Sequence, residues 1–130
     1  MHGTTWRFLA HSPSNDGSRT DELVDHLQSV AERAAEFAES FEGKEEAYLA
    51  GLLHDFGKYG ELFQQRLRGE AEHIDHWSAG AWLALQRYKA KGLAVALAVQ
   101  GHHIGLQKAS RDSGRPRHIV TPCLTLARFI

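Results

Sequence analysis

A single cysteine, Cys123, in a chain of 130 residues leaves no partner for an internal disulfide and too few thiolates for a zinc cluster. That scarcity fits a reducing, cytoplasmic setting. No stretch reaches the roughly 18 uninterrupted apolar residues of a membrane-spanning helix, and Met1 to Ser12 has no apolar run behind a basic start. Neither a membrane anchor nor a secretory leader is expected. The formal net charge of -1 carries no whole-chain signal for nucleic acid, so contact with a polyanion must come from a local patch or from bound metal. Period-two alternation is rare, which leaves little material for a sheet, and there is no internal repeat or low-complexity tract. What the chain has in excess is histidine, nine in all, and imidazole is the commonest metal ligand. With 42% hydrophobic residues the length suits one domain that buries roughly two thirds of its unfolded surface.

From Asp21 to Phe41, the residues Leu23, Leu27, Val30, Ala34, Phe37 and Phe41 recur at helical spacing, and Gly43 follows the end. His26 falls beside Phe37 on the edge of that stripe, so its ring can turn towards the core. Glu45 to Phe56 is apolar on all sides around Leu49, Leu52 and Leu53, which predicts a central buried helix with His54 and Asp55 in its last turn and Gly57 as its stop. Glu61 to Arg68 reads as a short helix with Leu62, Phe63 and Leu67 inward and Gly69 ending it. Asp75 is a candidate cap for a helix running to about Lys91, with His76 in its first turn. Leu93 to Val99 is a second all-round apolar run; its alanines favour helix over strand, and it delivers His102 and His103 at its end. A Gly, Ser and Arg-rich loop over Ile104 to His118 leads to one more helix after Pro122. The fold class is all-α.

Neighbouring residues on a helix point about 100° apart, so His54 and Asp55 cannot chelate one ion as an i, i+4 pair does. The pair can serve two ions. A carboxylate can bridge metals about 3.5–4 Å apart while histidines from other helices complete each sphere, and such a pair of ions holds a phosphate and ionises a bound water. A mixed nitrogen and oxygen donor set suits manganese, iron, cobalt, nickel or zinc better than calcium, and magnesium would take fewer imidazoles. Lys58, just past the turn, can reach a phosphate oxygen as a catalytic stabiliser, or only an aspartate or a helix carbonyl.

His54-Asp55-Phe56-Gly57-Lys58, preceded by Leu49-Ala50-Gly51-Leu52-Leu53, resembles the signature of the HD superfamily of metal-dependent phosphohydrolases. Leu9-Ala10-His11-Ser12, His26-Leu27, Asp75-His76-Trp77-Ser78 and Gly101-His102-His103-Ile104 are similar to stretches of one branch, the HD nuclease domain of the type I CRISPR helicase-nuclease. The resemblance spans nearly the whole chain. It implies a helical HD bundle of about five to seven helices, with His26, His54 and Asp55 on one metal and Asp55, His76, His102 and His103 on the second. It also implies endonuclease or exonuclease action on single-stranded DNA in antiviral defence. The expected partners are a helicase domain or subunit that feeds the strand and a guide-RNA surveillance complex that recruits both.

The family pattern has a further aspartate on a later helix, whereas the only acidic residue here after His103 is Asp112, in the loop. The expectation is therefore a domain over residues 1–130 cut short at its C-terminal end, without a helicase, with the second ion better held and activity weak. Lys108, Arg111, Arg115 and Arg117 make the loop locally positive and are weaker candidates for the DNA backbone. Other readings are an HD phosphohydrolase of nucleotides or cyclic dinucleotides, and a non-catalytic, metal-stabilised helical domain. His2, His11, His73 and His118 fall outside the ligand set, and Trp6, Trp77 and Trp82 read as packing residues.

Overall fold

Small residues on the first long helix, α1 (Leu23–Ala38), set the geometry of everything that follows. In the computed structural model, which describes residues 7–72, 74–103 and 105, the buried face of α1 is Leu23, Leu27, Ala31, Ala35 and Ala38. This is one residue per turn at the helical period. The stripe is rotated from the one expected, because Phe37 is 75% and Phe41 71% exposed. The reason lies across the interface. The second helix, α2 (Lys44–Leu53), brings Gly51 so close that a Cβ there would lie 2.5 Å from the Ala31 Cα. Backbones can approach this far only where both surfaces are small, so the phenylalanines are left outside.

A 3-10 turn over Glu39–Phe41 and a left-handed Glu42 (φ 59°) reverse the chain between α1 and α2. After α2 a second 3-10 turn, Phe56–Tyr59, leads into α3 (Glu61–Leu67), which ends before Gly69 at φ 79°. Phe63 and Gln64 fill the narrow inner face of α3, and Leu62, expected inward, is 56% exposed. The helices α4 (Ser78–Tyr88) and α5 (Leu93–Gly101) follow, joined by a third 3-10 turn. The helical reading of the Leu93 to Val99 run holds.

The main core lies where α2, α4 and α5 meet, built from Leu53, Ala81, Ala84, Val95, Ala96 and Val99. Here too a glycine allows contact, since a side chain at Gly80 would collide with the Leu53 carbonyl. A smaller cluster of Ala10, Leu23 and Leu27, flanked by Tyr59, lies under the N-terminal strap, residues 7–12. The strap is stitched to the start of α1 by an isolated bridge between Leu9 and Glu22, with Ala10 N–H donating to Asp21 O at 2.9 Å and Leu23 N–H to Phe8 O at 2.8 Å. Among the described residues there is no β-ladder, and no helix is long and apolar enough to cross a membrane. The helix expected after Pro122 and the basic loop lie outside the described residues.

Candidate metal centre

Helix α2 ends at Leu53, one turn earlier than the sequence pattern suggests. His54 keeps helical angles (φ -56°, ψ -39°) while Asp55 leaves them (φ -113°, ψ 16°). Asp55 thereby turns into the interior, where it is only 4% exposed. His76 stands before α4 rather than in its first turn. The N-cap of α4 is Trp77 and not Asp75, but Asp75 still ties down the approach to the helix: its Oδ1 accepts the N–H of Trp77 at 2.8 Å and of Ser78 at 3.2 Å, and Ser78 Oγ donates to its Oδ2. The Gly57 N–H donates to the His76 carbonyl at 3.1 Å, which seats this segment against the turn after Asp55. His102 and His103 follow the last residue of α5.

Five imidazoles from four separate segments thus converge on one carboxylate. Asp55 Oδ2 lies 3.2 Å from His54 Nε2 and 3.3 Å from His26 Nε2, and these two nitrogens are 3.3 Å apart. Asp55 Oδ1 lies 3.0 Å from His76 Nε2 and 3.6 Å from His102 Nε2, while His76 Nε2 and His103 Nε2 are 2.9 Å apart. All six residues expected at the metals are therefore brought together, in two groups that share Asp55.

The chemistry of these donors fits a divalent ion. His54 Nδ1 sits 2.7 Å from the Gly51 carbonyl and His102 Nδ1 2.6 Å from the Val99 carbonyl. A carbonyl only accepts, so each Nδ1 carries a hydrogen, and whenever the ring is neutral its Nε2 lone pair faces the carboxylate. Lone pair against carboxylate is repulsive unless a proton or a cation lies between. Asp55 Oδ1 is buried without a hydrogen-bond partner among the described residues, which marks the same need. Ligands about 2.0–2.2 Å from a transition metal lie roughly 2.8–3.6 Å from one another at tetrahedral or octahedral angles. The separations above fall in that range.

Electrostatics follow from the convergence. Burial opposes ionisation of Asp55, but contacts with His102, His54, His76 and Lys58 outweigh it and hold its carboxyl far below the usual range. The Asp55 carboxylate beside it raises His102 against its own burial. Burial, then the neighbouring imidazole of His54, lowers His26; burial, then His102 and His76, lowers His103.

Of the roles open to Lys58, the structure places its ammonium on aspartate and carbonyl. Its Nζ is 2.7 Å from Asp55 Oδ2 and donates to Ala10 O at 2.9 Å, and the residue is 7% exposed. Gln64, which no sequence signal singled out, is the other buried anchor. Its Nε2 donates to Leu9 O at 2.9 Å and Lys58 O at 2.7 Å, and its Oε1 accepts the Leu9 N–H at 2.9 Å. His11, carried on the strap, sits edge-on to His26 with centroids 5.1 Å apart and Nδ1 3.4 Å from Asp21 Oδ2. Trp77 packs beside His76 and His103. His2, His73, His118, Trp6, Lys108, Arg111, Arg115 and Arg117 lie outside the described residues.

Comparison with known proteins adds two findings. The family model described as HD domain matches residues 23–128. The CRISPR-associated nuclease/helicase Cas3 of Haloferax volcanii is 33% identical over 132 aligned positions, covering 82% of this chain. The chain spans 14% of that relative's length. No solved structure matches significantly.

Proposed function

The chain belongs to the HD domain family, and from that premise we propose that it is the metal-dependent nuclease domain of a type I CRISPR interference system, hydrolysing phosphodiester bonds in single-stranded DNA. The observation that carries this reading is the double cluster on Asp55, two groups of ligand atoms sharing one buried carboxylate. The likeness to the Haloferax nuclease/helicase supports the choice of nucleic acid over a small nucleotide. So do two of the four stretches that resemble the nuclease branch, one lying on the strap and the other carrying His76.

His26, His54 and Asp55 would hold one ion and Asp55, His76, His102 and His103 the other. Bound there, divalent transition metal supplies Lewis acidity towards phosphate and an ionised water near neutral pH. The protein's own residues do the positioning. The Gly51 and Val99 carbonyls orient His54 and His102 and raise the basicity of each Nε2. Asp55 remains a carboxylate throughout, and Lys58 holds one of its oxygens while facing away from bulk water. Lys108, Arg111, Arg115 and Arg117 would track the DNA backbone beside the site, and a cytoplasmic helicase partner and guide-RNA complex would deliver the strand.

Digestion of circular single-stranded DNA with manganese, cobalt or nickel, against Asp55→Ala and His102→Ala, tests the proposal. Metal-dependent cutting lost in both variants is expected. Inactivity on DNA with turnover of nucleotides or cyclic dinucleotides would move the substrate class, and bound metal without turnover of either would make the domain non-catalytic.

A further inference from the structure

The two oxygens of Asp55 live in different surroundings. Oδ2, which faces His26 and His54, already has a cation against it: Lys58 Nζ is 2.7 Å away. That ammonium is fastened from behind. Ala10 O accepts from it at 2.9 Å, the Phe63 ring lies beneath it at 5.6 Å, and Gln64 pins the Lys58 carbonyl at 2.7 Å. Moving the ammonium aside would take the donor from the Ala10 carbonyl of the strap. Oδ1, which faces His76 and His102, is buried and, among the described residues, has no hydrogen-bond partner.

We infer that Lys58 makes the two ion positions unequal: the Asp55, His76, His102 and His103 group fills first and tightly, and the His26, His54 and Asp55 group fills second and weakly. The inference rests on the two-cluster metal reading of the centre. An ion entering beside His26 and His54 meets a fixed positive charge on the oxygen it must share, in a site that excludes most water. An ion entering beside His76 meets a carboxylate oxygen with no ammonium on it, faced by the imidazole nitrogens of His76 and His102, which can become ligands by giving up a proton. Lys58 is thus a positioning residue that sets the order of metal uptake.

Manganese titration of the full chain by calorimetry should show a tight and a weak phase, or a tight phase alone. In Lys58→Met the weak phase should strengthen, or a second ion should bind newly, by at least about tenfold, while the tight phase changes by less than about threefold. Cobalt added below one equivalent to wild-type protein with 15N-labelled histidine should broaden the His76, His102 and His103 ring signals before those of His26 and His54. This order is read without any substitution, so it decides the matter if Lys58→Met does not fold. Two ions bound with equal affinity, or His26 and His54 responding first, overturns the inference and leaves the metal centre standing. Wild type that binds no ion overturns both.

Discussion

The Gly57 N–H donates to the His76 carbonyl at 3.1 Å, and a side chain at Gly57 would collide with that same carbonyl. The turn after the His-Asp pair and the segment carrying the next histidine are therefore built as one close contact. Replacing Gly57 by Ala should cost about 1–3 kcal/mol through overpacking and push His76 away from Asp55. Urea unfolding and metal content per folded chain check both halves. Unchanged stability with full metal content would mean the loop yields freely.

Asp55 and Lys58 form a buried pair, their side chains 5% and 9% exposed. Asp55→Ala leaves the ammonium without its counter-charge and should destabilise the metal-free fold by about 3–5 kcal/mol. Adding Lys58→Met should restore half or more of the loss, because the stranded charge goes too. Simple additivity in the double variant would show that the pair is not coupled.

The histidines pull pH dependence in two directions. His102 is raised by Asp55, so in the metal-free protein its stabilising contact is complete below the ordinary value of 6.5 and is lost as pH rises through its folded value. His26 and His103 are lowered, so they oppose folding as pH falls below 6.5. Metal must displace the His102 proton. Apparent affinity should therefore climb between about pH 6 and 8, with up to about one proton released per ion bound at that group. Calorimetry in two buffers of different ionisation heat counts the proton, and pH-independent binding with no release would rule out His102 as a ligand.

Gln64 ties the strap to Lys58 through three hydrogen bonds. Gln64→Leu keeps the volume but orphans the Leu9 and Lys58 backbone groups, and should cost about 1–3 kcal/mol. Hydrogen exchange at the Leu9 amide should accelerate before the core of α2, α4 and α5 opens. Unchanged exchange there would show that the strap is held without Gln64.

Helical periodicity placed α1, α3 and α5 within a few residues, because a 3.6-residue repeat is a local property that any partner surface must respect. Which face of α1 turns inward was not local. Phe37 looked like core from hydrophobicity, yet the Ala31 to Gly51 contact decided otherwise, and no property of Phe37 reports the size of a residue on α2. The six residues that gather on Asp55 were legible as a set because a resemblance in motif order preserves donors at their positions in the chain. Gln64 was not, since an exposed and a buried glutamine read alike until the groups they bond are known.

From the sequence alone came the all-α class, the small number of helices available to build it, and the gathering of histidines around His54 and Asp55 as the chemically unusual feature. The tertiary structure decided how those residues face one another: which carboxylate oxygen meets which imidazole, and that Lys58 closes on Asp55 and the strap. The physical reason is range. Helix formation depends on neighbours within a turn or so, whereas a charge's partner is set by whichever backbone folds against it, and here that partner is the Ala10 carbonyl, far away in sequence.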